Sequence, residues 1–240
     1  MGVKNNIQVC FSNDQFGKYA DNNSIVVIVD ILRATSVIST AFACGVSAVI
    51  PVEKLEEALA YKNIDNHIIA AERNTLRIDG FDFGNSPYHY IDNDVRGKIL
   101  AITTTNGTRA IHLAKKHKVI TASFVNINAI VSYLLSERND IIILCSGWKG
   151  YFNLEDSIFA GALSKKLLDT GFFISNCDSL LASLQLYYSS KENLFEYLNN
   201  SSYRNRNNSD EVIRDTHFCL KPTINSDIVP IYTDGKLVKA

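Results

Sequence analysis

Short, nearly uninterrupted runs of β-branched residues alternate along the chain with longer stretches in which apolar residues recur at helical spacing. The clearest runs are residues 24–30 (SIVVIVD) and 140–145 (DIIILC). A strand that is apolar throughout is covered on both faces, as in a parallel or mixed sheet. The alternation therefore predicts an α/β fold, layered α/β/α around a mixed, largely parallel sheet. The predicted strands are 24–30, 47–52, 67–71, 98–103, 118–122 and 140–145, and the predicted helices are 34–44, 54–63, 107–116, 128–137 and 154–170.

Beyond residue 177 the pattern changes. Helical spacing continues in two stretches, after which residues 199–210 (NNSSYRNRNNSD) form a polar, Asn-rich segment that predicts a mobile loop. A hairpin is predicted around Asp234 and Gly235. We expect one domain over residues 1–240, with two lobes, 1–175 and 176–240, as the alternative division. The later predicted helices are 178–188, 191–198 and 210–216, and the predicted hairpin spans 228–238.

Composition narrows the class of protein. The chain has 24 basic and 25 acidic residues, a net charge of −1, so it offers no general field for nucleic acid or an anionic membrane. The amino-terminal residues lack the apolar core of a signal peptide, and the purely apolar runs are too short to span a bilayer. Five scattered cysteines with no C-x-x-C pair suit reduced thiols. We expect a cytoplasmic protein.

Polar, chemically capable residues follow several of the predicted strands. These segments are 30–36 (DILRATS), 71–74 (AERN), 103–109 (TTTNGTR) and 146–150 (SGWKG). In open α/β sheets, ligands bind beyond the carboxyl ends of the strands. Acids alone would indicate a metal, and arginines with hydroxyls alone would indicate an anion. Their combination predicts a metal-assisted phosphate site.

The segment 103–109 is the best candidate for a phosphate cradle. Hydroxyls and Asn106-Gly107 precede a predicted helix, whose free N–H groups and dipole favour an anion, and Gly107 would let a phosphate approach the backbone. The alternative is that Asn106 only caps this helix. Similarly, Asp30 could hold a metal and Arg33 could clamp an oxyanion, or Asp30 could cap the next helix and pair with Arg33.

Other candidate residues have an ordinary structural explanation on composition alone. Glu72 and Arg73 could form an internal salt bridge. The segment 81–87 (FDFGNSP) is rich in turn residues. Asn153 followed by an acid at position 156 is close to a capping box, and this would account for that acid without catalysis.

The sequence lacks the motifs of several known phosphate-binding and phosphatase mechanisms. The chain has no G-x-x-x-x-G-K-[ST] loop and no G-x-G-x-x-G fingerprint. No cysteine is followed six positions later by arginine, which argues against a cysteine-nucleophile phosphatase. Leu32 stands two residues after Asp30, where a haloacid-dehalogenase phosphatase would have a second aspartate. The five histidines fall outside the polar clusters, so histidine-based catalysis is disfavoured.

Taken in order, five segments resemble the 2-phosphosulfolactate phosphatase (ComB) family. They are 29–36 (VDILRATS), 71–74 (AERN), 80–87 (GFDFGNSP), 103–109 (TTTNGTR) and 154–156 (LED), with an Ala-Gly pair at 160–161. Five ordered motifs over some 130 residues are far more specific than any one of them, and the region after residue 177 matches more loosely.

The resemblance implies Mg²⁺-dependent hydrolysis of 2-phospho-3-sulfolactate to 3-sulfolactate and phosphate. In methanogens this step belongs to coenzyme M biosynthesis, but the family also occurs where coenzyme M is not made, so the physiological substrate stays open. The resemblance also favours functional roles for the acids and polar residues that composition left as turn or cap. We expect catalytic roles for Asp30, Arg33, Glu72 and Asp82. Substrate-binding roles are expected for Thr35, Ser36, Arg73, Asn85, Ser86, Thr104, Thr105, Asn106, Gly107, Thr108 and Arg109. Candidate metal ligands are Asp30, Glu72, Asp82, Glu155 and Asp156.

Some alternatives remain open at this point. The nucleophile could be a water polarised by Mg²⁺ or Asp30 itself, through a covalent phospho-enzyme. Arg73, Arg109 or Lys149 could bind the substrate's carboxylate or sulfonate. Expected partners are a small phosphorylated organic acid and, on base rates, a second copy in a homodimer, with no nucleic acid or membrane. A non-catalytic binder of a phosphorylated metabolite is the second hypothesis, and a structural α/β domain is the third.

Overall fold

A computed structural model describes residues 4–19, 23–73, 75–222 and 227–240, and Asn74 of the predicted AERN motif lies outside these ranges. The strands are β1 (Asn5–Cys10), β2 (Ile25–Val29), β3 (Ala48–Pro51), β4 (His67–Arg73), β5 (Leu76–Arg77), β6 (Ile99–Thr103), β7 (Lys118–Ala122), β8 (Ile141–Cys145), β9 (Phe173–Ile174), β10 (Pro230–Thr233) and β11 (Lys236–Lys239). The α-helices are α1 (Ala34–Ala43), α2 (Leu55–Leu59), α3 (Tyr88–Ile91), α4 (Gly107–Ala114), α5 (Ile127–Glu137), α6 (Leu154–Asp169), α7 (Asp178–Ser190), α8 (Leu194–Tyr197), α9 (Ser202–Arg206) and α10 (Asp210–Cys219). Short 3₁₀ helices span Asn13–Lys18, Phe124–Asn126 and Leu198–Asn200.

The strands form one mixed sheet of eleven, in the order β5-β4-β6-β3-β11-β10-β7-β2-β8-β1-β9. Five neighbouring strands (β7, β2, β8, β1 and β9) are parallel, and so are β3, β6 and β4. The predicted carboxyl-terminal hairpin, β10 and β11, lies between these groups and is antiparallel to both. The predicted α/β fold with a mixed, largely parallel sheet is therefore confirmed.

Helices cover both faces of the sheet because successive side chains of each strand point in opposite directions. Ile25, Val27 and Val29 of β2 belong to a core that includes residues of α5, α6 and α7. Val26 and Ile28 belong to a second core, with residues of α1 and α4. Full burial on both faces explains why the strand reads as an unbroken apolar run.

The two parallel groups run in opposite directions across the sheet, since each is antiparallel to the hairpin strand beside it. On a flat sheet, the ends of β2 and β4 would lie on opposite edges. Nevertheless, Asp30 after β2 and Glu72 at the end of β4 line one pocket. Between the described residues of β11 and β3, the register has one pair, Leu237 with Val49. The carboxyl ends of the two groups therefore converge on a common cleft.

The sequence patterns missed the strands β1, β5 and β9 and the helix α3, and they misidentified one segment. The first strand, β1, was not predicted, because its polar residues Asn5, Asn6 and Gln8 break the apolar pattern. The segment 199–210, predicted as a mobile loop, contains α9, whose Tyr203 is only 4% exposed. Tertiary packing orders this segment despite its polar composition. In the described ranges, no helix is both long and apolar enough to cross a bilayer.

Candidate active site

A small polar pocket opens where the carboxyl ends of β2, β4, β6 and β8 converge. It encloses about 430 Å³, including its opening to solvent. It is lined by Asp30, Leu32, Arg33, Glu72, Thr75, Asn85, Thr105, Asn106, Gly147, Trp148, Asn153, Glu155, Tyr203, Arg206 and Asn207.

Asp30 is held between the first residues of two helices. Its Oδ1 accepts a hydrogen bond from the backbone N–H of Ala34 at 3.3 Å, at the start of α1. The backbone N–H of Gly107, the first residue of α4, also donates to this carboxylate. A Cβ on Gly107 would lie 2.8 Å from Asp30 Oδ2. Glycine at this position thus makes room for Asp30 itself, whereas the sequence suggested room for a phosphate.

Three carboxylates repel one another in this pocket. Burial, together with the charges of Glu72 and Glu155, raises the pKa of Asp30 to about 7, although the backbone N–H groups of Ala34 and Gly107 act in the opposite direction. Burial also raises the pKa of Glu155, and the guanidinium of Arg206 opposes that shift. Close like charges disfavour simultaneous ionisation. The pocket is therefore short of positive charge beside Asp30.

Glu155 has an oxygen available for a ligand. Asn153 Nδ2 donates to Glu155 Oε1 at 3.2 Å and to Asp156 Oδ2 at 2.8 Å. Glu155 Oε2 is buried and has no hydrogen-bond partner within the described ranges. Asp156, by contrast, is fully engaged, because its Oδ1 accepts from the backbone N–H of Ile31 at 2.9 Å. Asn153 thus links the two acids instead of forming the predicted capping box.

Arg33 lines the pocket but is committed to the protein. Its Nη1 is ion-paired with Asp215 of α10, and its Nη2 donates to the backbone carbonyl of Thr75 at 2.9 Å. Ser86 Oγ donates to the other oxygen of Asp215 at 2.8 Å. Arg33, Ser86 and Asp215 are all at most 2% exposed. The predicted pairing of Arg33 with Asp30 is replaced by this buried network.

The 103–109 segment places Thr105 and Asn106 in the pocket. Thr105 Oγ1 is buried without a hydrogen-bond partner in the described part of the chain. Asn106 stands at the N-cap position of α4, but its side chain accepts from Lys149 N at 3.4 Å and does not cap the helix. Thr104 and Thr108 exchange hydrogen bonds and form that cap. The alternative that Asn106 caps this helix is therefore wrong, whereas the phosphate cradle stays a prediction.

Several predicted site residues support the pocket from outside it. Thr35 Oγ1 accepts from the backbone N–H of Asp30 at 3.2 Å, and Ser36 Oγ donates to the carbonyl of Ile31 at 2.8 Å. Arg73 Nη2 donates to Thr103 Oγ1 at 3.1 Å, tying β4 to β6. These contacts fix the loops that carry the lining residues.

Two predicted residues are not brought to the pocket. Asp82 Oδ2 accepts from the backbone N–H of Ile69 at 2.9 Å and does not line the cavity. Arg109 forms an exposed ion pair with Asp14 at 3.1 Å. Asn85, from the same loop as Asp82, does line the pocket, with a buried Oδ1 that has no partner among the described residues.

Sequence reasoning missed the residues that α9 and α10 contribute. Tyr203, Arg206 and Asn207 line the pocket, and Asp215 holds Arg33. The three lining residues follow Asp30 by 173–177 positions, in a stretch whose polar composition indicates a loop, and Asp215 falls in the predicted helix 210–216. Tyr203, an aromatic residue followed by Arg204 and Arg206, is the local signal that could have marked the segment as packed.

The described residues contain no group of three or more histidine, cysteine, aspartate or glutamate side chains arranged to enclose a metal ion. Mg²⁺ does not require such a cage, since it usually takes one or two carboxylates and completes its shell with waters and substrate phosphate. Asp30, the free oxygen of Glu155 and nearby Glu72 are oxygen donors of that kind. The residues present therefore fit an Mg²⁺ ion shared with an anionic substrate.

An α/β fold that gathers acids, amides, a hydroxyl and arginines around a small pocket at its strand ends belongs to an enzyme of small anionic metabolites. Comparison with known proteins specifies the family. A sequence model of 2-phosphosulpholactate phosphatase matches residues 10–235. The chain belongs to this family of phosphoric monoester hydrolases.

Similar proteins span nearly its whole length. A probable 2-phosphosulfolactate phosphatase of Thermotoga petrophila is 42% identical over 88% of this chain and 90% of its own. One from Caldanaerobacter subterraneus subsp. tengcongensis is 39% identical over 88% of each chain. A third, from Clostridium beijerinckii, is 35% identical over 96% of this chain and 98% of its own.

Proposed function

We propose that this chain hydrolyses 2-phospho-3-sulfolactate to 3-sulfolactate and inorganic phosphate with the help of Mg²⁺. The names of its relatives support the substrate. The observation that carries the chemistry is the pocket itself, where three carboxylates able to hold a cation meet the Thr105 hydroxyl, which is buried without a partner in the described ranges. A phosphate monoester needs positioning and charge neutralisation more than covalent chemistry, and this set of groups provides both.

Asp30 is the central acid of the pocket, because the charges of Glu72 and Glu155 both raise its pKa. Mg²⁺ would be held by Asp30 together with Glu155 or Glu72, and Glu155 has an oxygen that no described residue contacts by a hydrogen bond. When bound, the ion would neutralise phosphate oxygens and polarise a water. Without a cation, the three acids would repel the substrate's phosphate.

The remaining residues bind and orient. Thr105 Oγ1 and the side chain of Asn106 offer hydrogen-bonding groups to the phosphoryl oxygens. In hydrolysis, a water oxygen forms a bond to phosphorus and the bond from phosphorus to the ester oxygen breaks. The water loses a proton and the ester oxygen takes one up, so that it leaves as the hydroxyl of sulfolactate. Arg33 fixes the shape of the pocket, since Asp215 and the Thr75 carbonyl accept from two of its five N–H groups and hold it in place.

The test is phosphate release from 2-phospho-3-sulfolactate by the purified chain, with and without EDTA and added Mg²⁺. We expect EDTA to abolish turnover and Mg²⁺ to restore it. Asp30→Asn should lower kcat by at least about 100-fold. Glu155→Gln and Glu72→Gln should each be titrated with Mg²⁺. The variant that has lost a metal ligand should need more Mg²⁺ to reach half of its maximal rate.

Glu56→Gln, an exposed acid on α2, is the matched control and should behave as wild type. Turnover that survives EDTA, or an Asp30→Asn variant with wild-type kcat, would remove the metal-assisted assignment. Absence of turnover together with thermal stabilisation by the phosphate ester would instead identify a non-catalytic binder. Absence of both would leave a structural domain.

A further inference from the structure

The pocket is lined by two arginines with different surroundings. Arg33 is buried, and its guanidinium is occupied by Asp215 and by the Thr75 carbonyl. Arg206 is exposed at the pocket. It takes part in none of the ion pairs formed by the described residues. Among the described residues, Arg206 is therefore the lining cation with no donor engaged, whereas Asp215 and the Thr75 carbonyl take two of the five N–H groups of Arg33.

Arg206 is held in place by stacking. Its guanidinium carbon lies 4.3 Å from the ring centroid of Trp148, a distance at which a cation is attracted to the ring face. Trp148 is fixed in turn, because it exchanges backbone hydrogen bonds with Tyr151, at 2.9 Å each. A stacked guanidinium keeps its edge free for planar recognition of an oxyanion.

The helix that carries Arg206 is anchored on both sides. Tyr203 is buried in the pocket wall. Asn207 Nδ2 donates to the Tyr203 carbonyl at 2.9 Å, and Asn207 Oδ1 accepts from Thr75 Oγ1 at 2.9 Å. Thr75 belongs to the β4–β5 turn, next to Glu72, so these bonds join α9 directly to the acidic side of the site. Such anchoring lowers the ordering cost that a flexible surface arginine would bring to binding.

We propose that Arg206 binds the second anionic group of the substrate, a carboxylate or sulfonate, and so selects phosphate esters of acidic alcohols. This inference rests on the proposed function and names the substrate feature that the site reads. A substrate with several negative charges would be repelled by Asp30, Glu72 and Glu155. Its phosphate can be offset by a metal, but its other anion needs a separate cation, and Arg206 is positioned to supply it.

The alternative role for Arg206 is to offset the charge of Glu155, and the two roles predict different selectivity. A charge-offsetting arginine would affect every phosphate ester equally. Loss of an arginine that binds the second anion would affect the hydrolysis only of esters that carry such an anion. We therefore compare three esters: 2-phospholactate, with a carboxylate; the phosphate ester of 2-hydroxyethanesulfonate, with a sulfonate; and phenyl phosphate, with neither.

For Arg206→Gln, we expect KM to rise about 10- to 100-fold for the ester whose anion Arg206 binds, because the variant loses a charge-assisted hydrogen bond. For phenyl phosphate, kcat/KM should stay within about twofold of wild type. Which of the two anion-bearing esters responds identifies the group. Arg206→Lys should recover part of the loss, since it keeps the charge without the planar fork.

The control is Arg204→Gln. Arg204 lies on the same helix but stacks on Phe195, at 4.1 Å, and does not line the pocket. It should leave all three esters unaffected. Equal losses on all three esters for Arg206→Gln, or no loss on any, would overturn the proposal.

Calorimetric binding of 3-sulfolactate tests Arg206 without turnover. If the wild-type chain binds sulfolactate and Arg206→Gln binds it about tenfold or more weakly, the inference stands even where no ester is hydrolysed, and only the proposed function fails. If the chain hydrolyses the esters but the variant binds sulfolactate normally, the inference alone fails.

Discussion

Gly107 offers a direct test of how the site is built. A Cβ at this position would lie 2.6 Å from Ala34 Cβ and 2.8 Å from Asp30 Oδ2. Neither neighbour is the mobile end of a long side chain: Ala34 Cβ is fixed to the backbone of α1, and Asp30 is held by backbone N–H groups. In Gly107→Ala, the start of α4 must therefore move away from the start of α1.

The size of this movement sets the size of the effect. Carbon atoms pack at about 3.5–4.0 Å, so a contact of 2.6 Å requires a shift of about 1 Å. Overpacking a tight site costs about 1–3 kcal/mol. For a chain of this length, about 2–4 °C per kcal/mol gives a fall in Tm of about 2–12 °C. A displacement of about 1 Å at the reacting groups can lower kcat about 100-fold.

The assay compares Gly107→Ala with Gly17→Ala by thermal unfolding and by phosphate release. Gly17 has no atom within 4 Å of an added Cβ, so its alanine variant should keep wild-type Tm and activity. The double variant Gly107→Ala with Ala34→Gly removes the 2.6 Å contact and should recover part of the lost Tm. A Gly107→Ala protein as stable and active as wild type would refute the close packing of α1, α4 and Asp30.

Three further predictions follow from the contacts described above. Removing Asp215 leaves Arg33 buried without its counter-ion, so Asp215→Ala should lower the free energy of unfolding in urea by about 3–5 kcal/mol; Ser86→Ala should cost about 1 kcal/mol, and equal effects would contradict this ranking. Burial and neighbouring acids raise the pKa of Asp30 from 3.8 to about 7, so the folded state holds a proton that the unfolded state releases. The stability of metal-free protein should therefore fall as pH rises through this window, and urea titrations at several pH values should find that fall reduced in Asp30→Asn. Gly161→Ala should lower Tm by thermal unfolding without changing KM, because its Cβ would lie 2.0 Å from a backbone carbonyl of α7; an unchanged Tm would show that α6 and α7 can separate at no cost.

The buried strands could be predicted because the pattern that marks them lies within their own residues. A strand buried on both faces needs apolar residues at every position, so β2 and β8 can be recognised from their own residues. The strand β1 is covered less completely, and its asparagines occupy partly exposed positions. It forms because β8 and β9 offer it partners, a property of those distant strands and not of its own sequence.

The site was predictable in part, for a related reason. The strand-end rule finds Asp30, Glu72 and Thr105, since each follows or ends a readable strand. It does not distinguish lining residues from their supports. Thr35 and Ser36 face inward and hold the loop, whereas Asp30 faces the pocket, and which way each points depends on the path of the backbone after the strand.

The contribution of α9 could not be read from the local pattern, because its order is imposed from outside. Residues 199–210 are polar enough to stay in solvent, and alone they would gain too little apolar burial to offset the entropy of ordering. Tyr203 supplies the missing burial only once β4, its turn and α10 are in place around it, and Asn207 then finds Thr75. An element that folds only against the finished cleft is suited to carry the residue that discriminates among substrates. Because α9 contributes no strand to the sheet, a substitution on it would leave the strand pairing intact, and Arg206 stands on that element.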